Sequence, residues 1–327
     1  MSVLDENGEK IMRTRLPNEP NRILNFIRQF PRPKQFAIET CYNWPVFYEL
    51  LRNEVDEFYL LHAKKLKSII ESQDKCDSHD ADEMAYLTHV GYIPRSYIAS
   101  AAVRQLRRFL RARVRLSKSV ASLKNQIQAI VNANTFYHQR PKNFKDLFSK
   151  RGLKYLKELS LPTQEQFLVD ELLKQISQLE HLKQRFDEHL KTLPINSKEL
   201  FFLQSVPAMN GHLLKYIVLA EIDNIHRFKN SDALVAYAGL CSKDKSSGEK
   251  LRKGHLRTDC NEFLKWALIE AVTAAIRRDK GLRNYYREVK QRLDSSSARV
   301  ATARKLLRSI YHVLKEQRLY YSETDRR

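Results

Sequence analysis

The sequence predicts an α+β fold, mostly α, built in three parts. Three observations lead there. Apolar residues recur at threes and fours through two long stretches, 95–134 and 163–193, the period of a helix with one buried stripe. Only 8 glycines and 10 prolines punctuate 327 residues, so tight turns are few. Strand-like segments are confined to the first part. The parts are an α/β unit at 1–93, a basic helical arm at 94–196 and a helical unit at 197–327.

In the first part, Val3–Leu4 and Lys10–Leu16 flank Asp5-Glu6-Asn7-Gly8. Asn-Gly tolerates positive φ, so this reads as a hairpin turn. Pro20–Phe30 reads as a helix with Ile23, Phe26 and Ile27 inward. Gln35–Thr40, Q-F-A-I-E-T, reads as a buried strand ending in a carboxylate. Trp44–Arg52 reads as a helix, Glu57–Leu61 as a short strand, and Asp77–Val90 as a helix with Asp77 or Ser78 near its cap. The arm's first helix buries Val103, Leu106, Leu110, Val120, Leu123, Ile127 and Ile130. Its second buries Leu168, Leu172, Ile176, Leu179, Leu182, Phe186, Leu190 and Leu193. Asn134–Pro162 between them is basic and irregular, so the pair reads as an antiparallel coiled-coil arm ending at Leu193-Pro194. The third part reads as a helix pair around Pro207, a loop at Ser242–Gly254, an apolar helix at Asn261–Arg277 and basic C-terminal helices.

Charge narrows the function. The formal net charge is +20 and the pI about 9.7. Such a balance favours a polyanionic partner, because phosphate contacts release condensed counterions. No apolar run approaches the ~20 residues that span a bilayer, and the N-terminus does not read as a secretory signal. Cys41, Cys76, Cys241 and Cys260 lie far apart with no C-x-x-C pair, which fits reduced thiols and a cytoplasmic protein better than a zinc site.

The charges are also unevenly placed. The cluster K-C-D-S-H-D-A-D-E at Lys75–Glu83 is followed, from Met84 to Lys145, by a run with no Asp or Glu. That run carries Arg104, Arg107, Arg108, Arg111, Arg113, Arg115 and Lys118. Possible metal-holding carboxylates therefore adjoin a segment suited to nucleic acid. Asp77 and Asp80 share a helical face, ~5–6 Å apart at Cβ. Like charges so close repel unless a cation lies between them. Glu39, at the end of an apolar strand, could point at the same place. Oxygen-only ligands suit Mg²⁺. The spacing leaves a second reading open, in which Asp77 caps its helix while Asp80 and Asp82 are solvated.

The second constellation is C-S-K-D-K-S-S-G-E-K-L-R-K-G-H at Cys241–His255. Ser246 and Ser247 lie among Lys243, Lys245, Lys250, Arg252 and Lys253. A serine can attack a phosphodiester where cations stabilise the developing charge. Taken alone, these residues read more readily as a solvated basic loop that only grips phosphate. A tyrosine-recombinase register fails, because His255 is followed by Leu256, Arg257 and Thr258. Tyr285, Tyr286, Tyr320 and Tyr321 therefore read as packing or stacking residues.

At these residues the chain resembles the insertion-sequence transposases of the DEDD type, which join a RuvC/RNase H-like domain to a serine-bearing transposase domain. The family's E-x-T strand end and K-T-D-x-x-D-A appear here as Ile38–Thr40 and as K-C-D-S-H-D-A at Lys75–Ala81. Its later blocks appear as V-P-A-M-N at Val206–Asn210, A-E-I-D-N-I-H-R-F at Ala220–Phe228, A-Y-A-G-L at Ala236–Leu240, S-G at Ser247–Gly248 and K-G-H at Lys253–His255. The resemblance implies DNA transposition by serine attack. It makes Ser247 the nucleophile, with Glu39, Asp77 and Asp80 as catalytic acids of a Mg²⁺ site. It further implies a structured guide RNA from the element, and homodimers pairing into a tetramer on DNA.

Two departures from the family pattern stand out. The family's first acid lies on a G-I-D-V strand ahead of the hairpin, and this chain begins at that hairpin, so a truncated RuvC-like domain lacking one ligand is expected. Asp5, in the turn, is no substitute. The family's I-P-G-I-G hairpin is replaced by Val206–Asn210, which lacks both glycines. A nucleic-acid-binding relic without catalysis is the competing expectation.

Overall fold

The computed structural model describes residues 1–70, 77–134, 146–195, 197–247, 250–256 and 258–322; at 77–78, 212, 243–247 and 250–256 it describes the backbone alone. The chain divides into two compact units, Met1–Ala99 and Ser100–Arg327.

The first unit opens with an antiparallel ribbon, β1 (Ser2–Leu4) against β2 (Lys10–Arg13). Its turn forms as the sequence suggests: the Asp5 carboxylate accepts the Asn7 and Glu9 amides at 2.9 and 2.8 Å, and Gly8 takes a φ of 86°. A β-carbon at Gly8 would lie 2.9 Å from the His89 ring, so glycine also allows the ribbon's close approach to the helix above it. Helix α1 (Pro20–Arg28) buries Ile23, Phe26 and Ile27 against Leu51 and Val55. Strand β3 (Gln35–Glu39), helix α2 (Trp44–Leu51) and strand β4 (Glu57–Leu61) form a parallel crossover, in register from Gln35↔Glu57 to Glu39↔Leu61. A short α3 (Ala63–Ile69) follows. Helix α4 (Asp77–His89) packs on both β1 and β3.

The described residues of this unit form two separate two-stranded sheets, β1 with β2 and β3 with β4. One expectation changes here. Strand β3 is expected to be buried, yet Gln35 and Glu39 are exposed and its middle only half-buried. The physical reason is that a strand with one ladder neighbour leaves its other edge and much of its surface uncovered.

The second unit begins with α5 (Ala101–Asn134), which runs antiparallel to α7 (Thr163–Thr192). Phe109 stacks on Phe186 and Arg113 pairs with Asp187 at one end. Val120, Ile127 and Val131 meet Val169, Leu172 and Ile176 further along. The intervening segment, expected to be irregular, contains α6 (Lys150–Glu158). Ser149 caps it by accepting the Gly152 amide, and Leu147 and Leu156 enter the same core. A third segment therefore fills what a two-helix coil would leave open. Leu168, expected inward, is 46% exposed, and Val169 takes the buried place.

The rest of the unit surrounds α11 (Glu262–Arg278). Its Leu264, Ala267, Leu268, Ala271, Val272 and Ala275 are all completely buried, the alanines allowing close helix approach. Around it pack α9 (His212–Ile222), α12 (Lys280–Arg292) and α13 (Ser295–Lys315). Helices α8 (Lys198–Ser205) and α10 (Ser231–Tyr237) complete the layer, with a 3-10 turn at Ile225–Arg227. Short polar residues start most of these helices: Ser197, Asn230, Asn261, Asp279 and Asp294 each accept a first-turn amide. Each such cap stabilises by about 1 kcal/mol. The expected loop at Ser242–Gly254 is an antiparallel ribbon instead, β5 (Ser242–Ser247) with β6 (Lys250–Leu256).

Candidate active site and nucleic-acid interface

The acids of the first unit separate into two kinds. Asp82 is a clamp. Its Oδ2 accepts Lys10 Nζ at 2.9 Å and also pairs with Arg13, tying α4 to the β1–β2 ribbon. Burial pushes its carboxyl up, but the Ser2 hydroxyl, Lys10 and Arg13 together hold it at about 2. Asp82 is therefore an ion-paired tie between helix and ribbon rather than a fully solvated acid. Glu39 and Asp80 are different. Glu39 is exposed at the C-terminal end of β3, and Asp80 is half-buried on α4; neither has a cationic partner among the described residues. Strand alternation puts Glu39 on the face of Ala37. Ala37 packs with Met84 and Leu87 of α4 against Tyr59 and Leu61. Asp80 lies one turn before Met84 on that helical face, and Asp77 one turn earlier still. Glu39 and Asp80 thus share the side on which strand and helix face each other; the Asp77 side chain lies outside the described residues. No cluster of three His, Cys, Asp or Glu side chains converges among the described residues.

The arm's cations also divide. Arg111 donates Nε and Nη2 to the two carboxylate oxygens of Glu221 at 2.7 and 2.8 Å, and Arg107 donates to the Ala220 and Glu221 carbonyls at 2.7 and 3.3 Å. Burial pulls Arg111 down, yet its hydrogen bonds to Glu221 and that residue's charge raise it above its ordinary value. Arg113, buried on the apolar stripe, makes a bidentate pair with Asp187 at 2.9 and 2.7 Å. These three guanidiniums already have protein partners. Arg108, Arg115 and Lys118 are exposed and Arg104 half-buried. Arg111, Arg115 and Lys118 line up over the Phe263 ring at 4.9, 5.7 and 5.4 Å, with Lys118 3.7 Å from Glu262. Of the exposed cations, Arg115 and Lys118 therefore stand at the start of α11.

Glu221 is the hub that the sequence reading missed. It is 1% exposed, and besides Arg107 and Arg111 it engages Arg227, which donates to its carbonyl at 3.2 Å, and Asn261, which donates Nδ2 to Oε2 at 2.7 Å. Asn261 Nδ2 also lies 2.9 Å from the Tyr237 hydroxyl. The blocks A-E-I-D-N-I-H-R-F and A-Y-A-G-L thus meet as one polar core. A signal was present: an acid inside the apolar run Y-I-V-L-A-E-I needs a buried cation, and the acid-free α5 supplies two.

Ser247 is the last residue of β5, paired with Lys250 across the ribbon tip. The register also pairs Lys245 with Arg252, Ser246 with Leu251 and Asp244 with Lys253. Strand alternation then puts positions 245, 247, 250 and 252 on one face. Position 247 shares its face with three cations, whereas 246 shares the other with Asp244, Leu251 and Lys253. Gly248 lies outside the described residues. Of the tyrosines read as packing or stacking residues, Tyr285 lies under Lys305, Tyr286 bonds Ser295 at 3.0 Å and Tyr320 bonds Asp279 at 3.1 Å, whereas Tyr321 is exposed.

A family profile for the DEDD type, described as a transposase, matches residues 1–134. A second, described as the transposase IS116/IS110/IS902 family, matches residues 202–287. The chain is 22% identical over 306 residues to a probable family 20 transposase of Pseudomonas aeruginosa, covering 91% of this chain and 89% of that one. It is 28% identical over 139 residues to the transposase for insertion sequence element IS1111A of Coxiella burnetii, covering 41% of this chain and 38% of that one. The two profiles follow one another along the chain, and a relative aligns along most of both chains: the protein belongs to the IS116/IS110/IS902 family of transposases, of the DEDD type.

Proposed function

We propose that the protein cuts and rejoins DNA for its insertion sequence, with Ser247 as the nucleophile. The observation that carries this reading is the ribbon register, which puts position 247 beside positions 245, 250 and 252, all cationic. In the step proposed, Ser247 Oγ forms a bond to phosphorus while the bond from phosphorus to one sugar oxygen breaks. The serine proton leaves to a base, and the departing sugar oxygen takes up a proton. The phosphodiester is kept as a serine ester, so rejoining to a second strand needs no external energy source. Cations on that ribbon face stabilise the charge on the attacked phosphate.

Glu39, Asp77 and Asp80 would hold a Mg²⁺ ion. The fit rests on an all-carboxylate donor set on β3 and α4, of which Glu39 and Asp80 have no cationic partner among the described residues. When bound, Mg²⁺ polarises phosphate oxygens. The RuvC-like character of this unit belongs to the same proposal. So do the arm's role as a sequence-tolerant grip on phosphates through Arg104, Arg108, Arg115 and Lys118, aided by Lys250, Arg252 and Lys253, a guide RNA as second nucleic acid, and dimers that pair into a tetramer.

Trapping protein–DNA adducts tests the reading. The unsubstituted protein and Ser246→Ala should form them with Mg²⁺ present, and Ser247→Ala should not. Adducts that survive Ser247→Ala but not Ser246→Ala would shift the nucleophile by one residue. Adducts that survive both changes would end the serine mechanism.

A further inference from the structure

We infer that Glu221, Tyr237 and Asn261 form a clip that closes the root of the β5–β6 ribbon and fixes its stance, with Arg111 gripping the clip from the arm. As positioning residues they serve the attack by Ser247, and in that respect the inference rests on the reading above.

The geometry is specific. Tyr237 ends α10 ahead of the ribbon, and Asn261 follows it as the cap of α11. Asn261 joins the two ends: its amide donates to the Tyr237 carbonyl at 2.8 Å and its Nδ2 approaches the Tyr237 hydroxyl at 2.9 Å. The same Nδ2 donates to Glu221, while Oδ1 accepts the Leu264 amide at 3.0 Å. Glu221 in turn receives both nitrogens of Arg111. A two-stranded ribbon alone is marginally stable, so its angle to the body is set where it is rooted. Apolar packing could bury this site as well, but it would not fix that angle. Directional hydrogen bonds to a carboxylate do.

Asn261→Asp separates the clip from the cap. Aspartate still accepts the Leu264 amide, but it loses both side-chain donors and sets a carboxylate against Glu221. Amide hydrogen exchange, corrected for intrinsic rates, should show protection of β5 and β6 falling about tenfold at pH 8 while α11 and α13 hold. A merely destabilising substitution would lower the protection of α11 and α13 as well. Ribbon protection at pH 8 that matches the unsubstituted protein would overturn the inference. If Asn261→Asp does not fold, Tyr237→Phe removes one hydroxyl and should lower ribbon protection about threefold; unchanged protection there overturns it equally. Exchange is read without DNA, so missing Ser247 adducts in the unsubstituted protein would count against the serine reading while the exchange result judges the clip.

Discussion

Two glutamates close apolar segments of this chain, and the structure treats them in opposite ways. Glu221 follows Y-I-V-L-A on α9; it is 1% exposed and bound by Arg111 and Asn261. Glu39 follows Q-F-A-I on β3; it is exposed and has no cationic partner among the described residues. Apolar neighbours therefore do not by themselves make an acid structural. Position in the architecture decides. A helix in the middle of a bundle must satisfy its acid internally, whereas the C-terminal end of a parallel strand opens toward solvent, where a ligand can be met.

The largest expected effect follows from that contrast. Glu221→Ala leaves two guanidiniums facing the vacated site and should cost about 3–5 kcal/mol of stability, read from urea midpoints. Glu39→Gln should stay within about 0.5 kcal/mol, as exposed substitutions do, while abolishing strand cleavage. Comparable destabilisation by both would break the contrast.

A middle-sized effect concerns the arm, where the same division holds among cations. Replacing Arg108, Arg115 and Lys118 with Gln should leave the folding midpoint in place. It should flatten the salt dependence of nucleic-acid binding by about one unit of logarithmic slope for every phosphate no longer neutralised. Arg111→Gln should instead lower stability and leave that slope nearly unchanged. An unaltered slope after the triple change would remove the arm's exposed face from the interface.

What could be read in the sequence was local. The 3.6-residue stripes mark the long helices, because each helix buries one face and the pattern is repeated many times. The Asp5–Gly8 turn was legible because Gly8 meets its positive φ. The β5–β6 ribbon was not: S-K-D-K-S-S-G-E-K-L-R-K-G-H has no apolar alternation, since a two-stranded ribbon buries little and needs none. Nor were the partners of charged residues. Arg113 is read as one more cation of a basic run, and only its placement opposite Asp187, from the second long helix, makes it part of the core. Asp82 carries no sign in its own segment that Lys10 and Arg13 will claim it. At the candidate site the residue types were legible, and the division between engaged and available charges was not.

The smallest effect is also a matter of two positions of one residue type. Ala208 takes a φ of 73° in the turn between α8 and α9, and it is 4% exposed. Ala271 is helical and completely buried in α11. At Ala271, glycine loses a buried methyl and about 1 kcal/mol of helix propensity, so Ala271→Gly should destabilise by about 2 kcal/mol. At Ala208 the terms oppose one another. Glycine again loses the methyl, about 0.8 kcal/mol, and some unfolded-state entropy, but it relieves the left-handed backbone, about 1–2 kcal/mol. Ala208→Gly should therefore lie within about 0.5 kcal/mol of the unsubstituted protein in urea unfolding. Ala208→Val, branched at Cβ and at the same φ, should be clearly destabilising. Equal losses at 208 and 271 would mean that Ala208 does not hold the positive φ, and that the V-P-A-M-N turn is shaped differently from the one described.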